Sequence, residues 1–152
     1  MGQRRWSDYA TSVGLIFTAY VVVSEIKQWY DDRQARKRKE ERDALAKKMH
    51  LDRRDGWLEA DLAAYDGKDT DRPLLLACDG RVFNVWRGWS FYGPGGPYEC
   101  LVGRDSTRLF AKQILDPAED DGEALTEDEL QNVKSWKEFL QWKYDDVGSL
   151  QA

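Results

Sequence analysis

The sequence is short of the residues that most often do chemistry. It holds one histidine, His50, and two cysteines, Cys78 and Cys100, in 152 residues. A structural zinc site needs three or four closely spaced ligands, and that supply excludes one. Neither cysteine sits in a CxxC pair, so both are expected to be ordinary buried thiols facing a reducing compartment. Residues 55–152 contain no histidine, no glycine-rich phosphate loop and no nucleophile elbow. Acidic residues are abundant, but their clustering over 116–129 reads as solubility rather than a paired acid and base, and the chain is not expected to be an enzyme.

Long apolar runs are also scarce. The exception is YATSVGLIFTAYVVVS, sixteen residues from Tyr9 to Ser24 without a charge. As a helix this run spans about 24 Å, short of the ~30 Å hydrocarbon core of a bilayer. Trp6 and Tyr9 at one end, with Trp29 and Tyr30 at the other, are suited to the two interfaces. A transmembrane helix over about 6–29 is expected, forming an N-terminal anchor across residues 1–30. The alternatives are a cleaved leader starting at Arg4-Arg5 and a buried helix. Ala10, Gly14 and Thr18 recur at helical spacing and offer a small-residue face to a membrane-protein partner.

Charge is divided. Residues 1–54 carry 13 Lys/Arg against 8 Asp/Glu, and residues 55–152 carry 10 against 20. The acidic half repels phosphate backbones, so no nucleic acid is expected as a partner. Basic charge beside an apolar run points instead to lipid head groups and the bilayer. Arg33, Arg36, Lys37, Arg38 and Lys39 follow the run, which places the C-terminal domain on the cytosolic or matrix side. The membrane would then be the endoplasmic reticulum or the mitochondrial inner membrane. Residues 31–54 read as a solvated helical stalk, with Asp32 and Arg36 as an i,i+4 pair. His50 falls here and is expected to be solvated.

Residues 55–152 read as one domain. Trp57, Leu58, Leu62 and Tyr65 lie near helical spacing. Pro73–Cys78 and Val82–Val85 read as strands, joined by Asp79-Gly80 as a type I′ hairpin. From Phe91 to Tyr98, two prolines and three glycines at positions 93–97 forbid regular structure, yet the surrounding loop is rich in aromatic rings. Such rings should cover the protein's own core or a flat ligand. Asp105, Ser106 and Thr107 offer N-caps for a helix through Leu109, Phe110 and Ile114. An acidic loop from Pro117 to Glu123 is expected to be solvated. Thr126 and Glu129 form a capping box opening a helix buried through Leu130, Val133, Trp136 and Leu140.

Several landmarks occur in one order: Glu59–Leu62, Asp66-Gly67, Leu74–Ala77, Asp79–Val85, Phe91–Pro94, Gly96–Tyr98, Gly103–Ser106, Leu125-Thr126, Trp136 and Lys143–Gly148. Together they resemble the membrane-associated progesterone receptor component family, a branch of cytochrome b5-like domains, over about residues 55–150. The resemblance implies an α+β fold, with a small mixed sheet and helices forming an open cleft for haem b. Cytochrome b5 proper holds iron between two histidines, and this domain has none. In the resembling family a tyrosine oxygen takes one axial position, which by motif is Tyr98. Tyr92 would be its hydrogen-bonding neighbour, while Lys143 and Tyr144 would meet the haem edge and propionates. A phenolate is a hard donor that suits ferric iron. Trp89 and Trp142 stand where they could narrow the cleft. The resemblance further implies haem or sterol handling and partnership with membrane enzymes such as cytochromes P450. A second expectation is an accessory subunit of a larger membrane complex, for example a mitochondrial respiratory assembly, reusing the fold with or without haem.

Overall fold

The computed structural model describes the backbone of residues 3–151, and side chains from Tyr20 onward. Contacts divide the chain into residues 1–45 and 46–152. The first unit is built on helix α1, Gln3–Lys48. Its described side chains are exposed, including Val22, Val23, Ile26, Trp29 and Tyr30. Arg33 lies over the Trp29 ring, 5.4 Å from its centroid. Among the described residues, the ion pair along this helix is Lys37–Glu41 at 3.9 Å rather than the expected Asp32–Arg36. No helix among the described residues is long and apolar enough to cross a membrane. Most of the expected span, residues 6–19 of 6–29, lies outside the residues whose side chains are described, as do Ala10, Gly14 and Thr18.

The second unit is organised by three strands, β1 (Leu75–Cys78), β2 (Arg81–Asn84) and β3 (Asp145–Ser149), in the order β1-β2-β3. Asp79 at φ 49° and Gly80 at φ 70° make the two-residue turn, and Cys78 pairs with Arg81 across it. Two successive positive φ values are the type I′ signature read from Asp-Gly. The sheet expected to be mixed is antiparallel in all its strand pairs. Among the described residues, parallel pairing occurs at two isolated bridges, Trp57 with Leu150 and Ala77 with Asp105.

The run Leu74–Cys78 is continuously apolar because both faces of the sheet are covered. Leu74, Leu76, Cys78, Phe83 and Val85 enter the larger core, whereas Leu75, Ala77 and Val82 join Trp57, Leu62 and Val147 in the smaller one. This is the two-residue period of a strand with a core on each side. Trp57 does not start a helix as expected. Its indole donates to the Val147 carbonyl at 3.0 Å, and helix α2 covers only Glu59–Leu62 before a 3-10 turn at Ala63–Tyr65.

Helices α3 (Trp89–Tyr92), α4 (Thr107–Lys112) and α5 (Glu127–Lys143) lie on the larger core. The capping box of α5 forms as read: the Thr126 hydroxyl accepts from Glu129 N–H, and the Glu129 carboxylate accepts from Thr126 N–H. Its buried stripe is Val133 and Leu140, with Trp136 half-buried and Leu130 exposed.

The acidic loop is largely exposed, as expected, with Asp120 half-buried, and the carboxylates of Asp120 and Asp121 are paired. Asp120 receives Arg108 Nε at 2.5 Å and Nη2 at 2.7 Å, and Lys112 bonds Asp121 while standing 3.8 Å from Glu129. Arg108 and Lys112 are one turn apart on α4, so the loop is clamped to that helix. The Arg108 guanidinium, through these hydrogen bonds, holds the Asp120 carboxyl down at about 2. Asp120 has a lower pKa folded than unfolded, so its contribution to stability is present above about pH 4 and lost as pH falls toward about 2. Unfolding followed by denaturant across that window should show an acid-limb loss in wild type, and Asp120→Asn should flatten it.

Candidate functional site

The site is built by the loop between β2 and α4. After Asn84 the chain makes a 3-10 turn at Trp86–Gly88 and then the single turn of α3. Gly93 N–H closes that turn onto Trp89 O at 2.8 Å, Gly96 N–H bonds Gly93 O at 2.9 Å, and Tyr98 N–H returns to Phe91 O at 2.8 Å. The Glu99 carboxylate accepts from Gly95 N–H at 2.5 Å. These bonds bring residues six and seven apart in sequence into contact. Phe91 and Tyr98 stack with centroids 6.4 Å apart and planes at 25°, and Tyr92 meets Tyr98 at 5.8 Å.

Tyr92 and Tyr98 line a cleft of about 390 Å3, within the ~300–1,000 Å3 usual for small-molecule sites. The other walls are Leu101 and helix α4 with its C-terminal turn (Leu109, Phe110, Gln113, Ile114, Leu115), closed by Trp136 of α5. Among the described residues, no charged side chain lines it. The polar groups are two phenols and the Gln113 amide, and Gln113 holds the left-handed conformation at φ 56°. A larger, more open groove of about 720 Å3 lies elsewhere on α4, lined by Glu59, Arg104, Asp105, Arg108 and Asp120 among others. Its Arg108 and Asp120 are already paired with each other. It lacks the converging aromatic rings of the tyrosine cleft, so size alone does not select it.

The four residues singled out in the sequence separate into three positions. Tyr92 and Tyr98 face the same cleft. Tyr144 stands behind Tyr92, edge-on at 5.8 Å and 85°, and does not line the cleft. Tyr92 and Tyr144 are only 3% and 6% exposed. Burial pushes the Tyr92 phenol well above its ordinary range, and the neighbouring Tyr144 phenol adds to the rise. Tyr92 therefore stays protonated at any physiological pH. Lys143 is exposed, with its ammonium 5.4 Å from the Phe139 ring centroid and 5.9 Å from that of Tyr144, and it too is outside the cleft lining.

Neither Trp89 nor Trp142 narrows the opening. Trp89 packs on the larger core beneath the loop, and Trp142 is 81% exposed. Sequence reading did not single out Gln113, Leu115 or Phe110 as cleft residues. The spacing Leu109, Phe110, Gln113 and Ile114 on one face of a helix ending in a left-handed residue was the available signal. Of the cysteines, Cys78 is buried and pushed up to about 12 by burial, and Cys100 is half-buried. Thiol labelling of native protein should leave Cys78 unmodified, and denaturation should release it; labelling of Cys78 in the folded state would contradict that burial.

The sequence matches the family described as "Cytochrome b5-like Heme/Steroid binding domain" over residues 59–141. It is 38% identical over 92 residues to Membrane steroid-binding protein 2 of Oryza sativa subsp. japonica, covering 59% of this chain and 35% of that protein. It is 41% identical over 105 residues to Membrane-associated progesterone receptor component 2 of Rattus norvegicus, covering 66% of this chain and 48% of that one. The match thus spans less than half the length of either relative. A solved Arabidopsis thaliana protein described as having a cytochrome b5 like fold superposes with TM-score 0.58 at 31% identity, covering 68% of this chain and 96% of that one. The chain belongs to the cytochrome b5-like haem/steroid-binding domain family, with the membrane-associated progesterone receptor components and membrane steroid-binding proteins among its relatives.

Proposed function

We propose that this chain is a membrane-anchored haem-binding protein in which Tyr98 holds the iron through its phenolate oxygen. The observation that carries the reading is the apolar cleft with a tyrosine in its wall and no histidine anywhere in residues 55–152. The residues fit a haem by donor chemistry: Tyr98 supplies a hard oxygen, while Leu101, Leu109, Phe110, Ile114 and Trp136 supply apolar walls for the ring. When bound, the haem would supply a ferric centre with one protein ligand, suited to storage or delivery and to a second ligand from outside. Tyr92, kept protonated, serves as a hydrogen-bond donor or acceptor beside Tyr98. Lys143, exposed beside Tyr144 and outside the cleft lining, is a cation that could reach toward propionates. Apolar ligands of the sterol kind suit the same walls.

The anchor reading rests on the uncharged residues 9–24 and on the exposed apolar side chains of α1 from Tyr20 to Tyr30. Exposed apolar surface on an unpartnered helix is what a bilayer covers. The relatives named as membrane proteins support it.

The test is the visible spectrum of the full chain, purified in detergent and titrated with ferric haem. A Soret band and a tyrosinate-to-iron charge-transfer band are expected in wild type. Haem that stays free, with no shift of its spectrum on adding protein, would remove the proposal.

A further inference from the structure

Behind the two cleft tyrosines lies a contact outside the cleft lining. Gly88 is buried immediately before α3, at the ordinary φ of −97°, so the backbone there does not require glycine. The space does. A Cβ built at Gly88 would lie 2.6 Å from the Tyr144 hydroxyl oxygen, 2.9 Å from Tyr92 Cδ2 and 3.1 Å from Tyr92 Cε2. Real Cβ atoms do not come that close to other heavy atoms, so alanine at 88 must push apart the two rings.

Tyr144 is fixed from the other side. Its N–H bonds Leu140 O at 2.8 Å at the end of α5, and β3 begins at the next residue. Tyr92 is thereby wedged between a ring held by the α5–β3 junction and the cleft ring of Tyr98, 5.8 Å from each centroid. The Tyr92 and Tyr144 rings meet edge-on, with their planes at 85°. No buried side-chain nitrogen or oxygen among the described residues lacks a partner.

We propose that Gly88 and Tyr144 are positioning residues that set the place of Tyr92, and through it the angle and reach of the Tyr98 phenol in the cleft. Neither residue lines the cleft. Tyr144 backs the Tyr92 ring edge-on and fixes its plane, and Gly88 keeps clear the space where the two rings meet. The consequence for ligation rests on the haem reading above; the consequence for Tyr98 itself does not.

Full-length protein isotope-labelled at the tyrosine Cζ carbons tests the second directly, without any ligand. In Tyr144→Phe the Tyr92 and Tyr98 signals should shift, while that of Tyr65, which packs on Trp57 in the smaller core, should stay. Gly88→Ala should move the same two signals and lower the melting temperature. Adding Tyr144→Phe to Gly88→Ala removes the nearest clash and should restore part of that loss, a non-additive result. A Tyr98 signal unmoved in both single variants overturns the proposal, and so does a double variant less stable than Gly88→Ala alone. Haem affinity in the two single variants is expected to fall about tenfold with a displaced charge-transfer band. If wild type takes up no haem, the haem reading fails, and the tyrosine signals still decide the positioning role.

Discussion

Phenylalanine at position 98 should weaken haem retention about a hundredfold, or about 2.8 kcal/mol, and abolish the charge-transfer band. The substitution removes one oxygen and leaves the ring that stacks on Phe91 and meets Tyr92. The cleft walls are otherwise kept, so the apolar share of binding survives and the loss reports the iron–oxygen bond. Tyr92→Phe is the comparison. It removes the hydroxyl of the neighbouring ring, and its effect should be the smaller of the two. The measurement is competitive transfer of ferric haem to an apo-globin acceptor, followed in the visible region. Equal transfer rates from wild type and Tyr98→Phe would show that Tyr98 is not the ligand.

The largest effect on stability is expected at Gly148, the glycine that ends the Lys143–Gly148 landmark. The segment 54–57 lies against β3 there. Arg54 N–H bonds Val147 O at 3.0 Å, and Gly56 N–H and Trp57 N–H both reach Ser149 O, at 3.1 and 2.9 Å. The Asp55 carboxylate accepts from Ser149 N–H and Oγ at 3.0 Å. Gly148 itself has φ 131°, and a Cβ there would stand 1.6 Å from Arg54 O. An alanine must therefore break that pairing and adopt a backbone conformation that disfavours side chains. Overpacking costs about 1–3 kcal/mol and a strained φ/ψ about as much again, so Gly148→Ala should lose about 3 kcal/mol or more. Against a total of about 5–15 kcal/mol for ordinary domains, that brings the fold near its limit. The midpoint of urea denaturation reads the loss directly. A change within about 0.5 kcal/mol of wild type, as for an ordinary surface site, would mean that the segment does not pack on β3 as described.

These two sites also show how legibility divides. The hairpin at Asp79-Gly80 and the capping box at Thr126 and Glu129 could be read in advance because their partners lie within four residues. Local hydrogen bonds and φ preferences decide them. Strand β3 could not. Asp145–Ser149 has no apolar alternation of its own, and it is a strand because β2 pairs one edge and the 54–57 segment the other. The ion pairs of the exposed acidic loop were hidden for the same reason. Its carboxylates have no partner close in sequence until α4 brings Arg108 and Lys112 beside them. Trp57 looked like a helix residue by spacing, yet its indole is fixed by a carbonyl ninety residues away in sequence.

The cleft divides along the same line. The sequence by itself determined that residues 55–152 have no histidine to offer a metal, and that two tyrosines flank a loop too rich in proline and glycine to be regular. It also determined the family, because the landmarks hold their order. Only the tertiary structure decided which tyrosines share the cleft. Lys143 and Tyr144 are neighbours in sequence, but α5 ends between them, so one side chain points to solvent and the next into the core. Helix α4 supplies most of the apolar wall, and nothing in its own sequence says which ligand or ring it faces. Spacing along a chain fixes which side chains can meet within an element; packing between elements fixes which of them do.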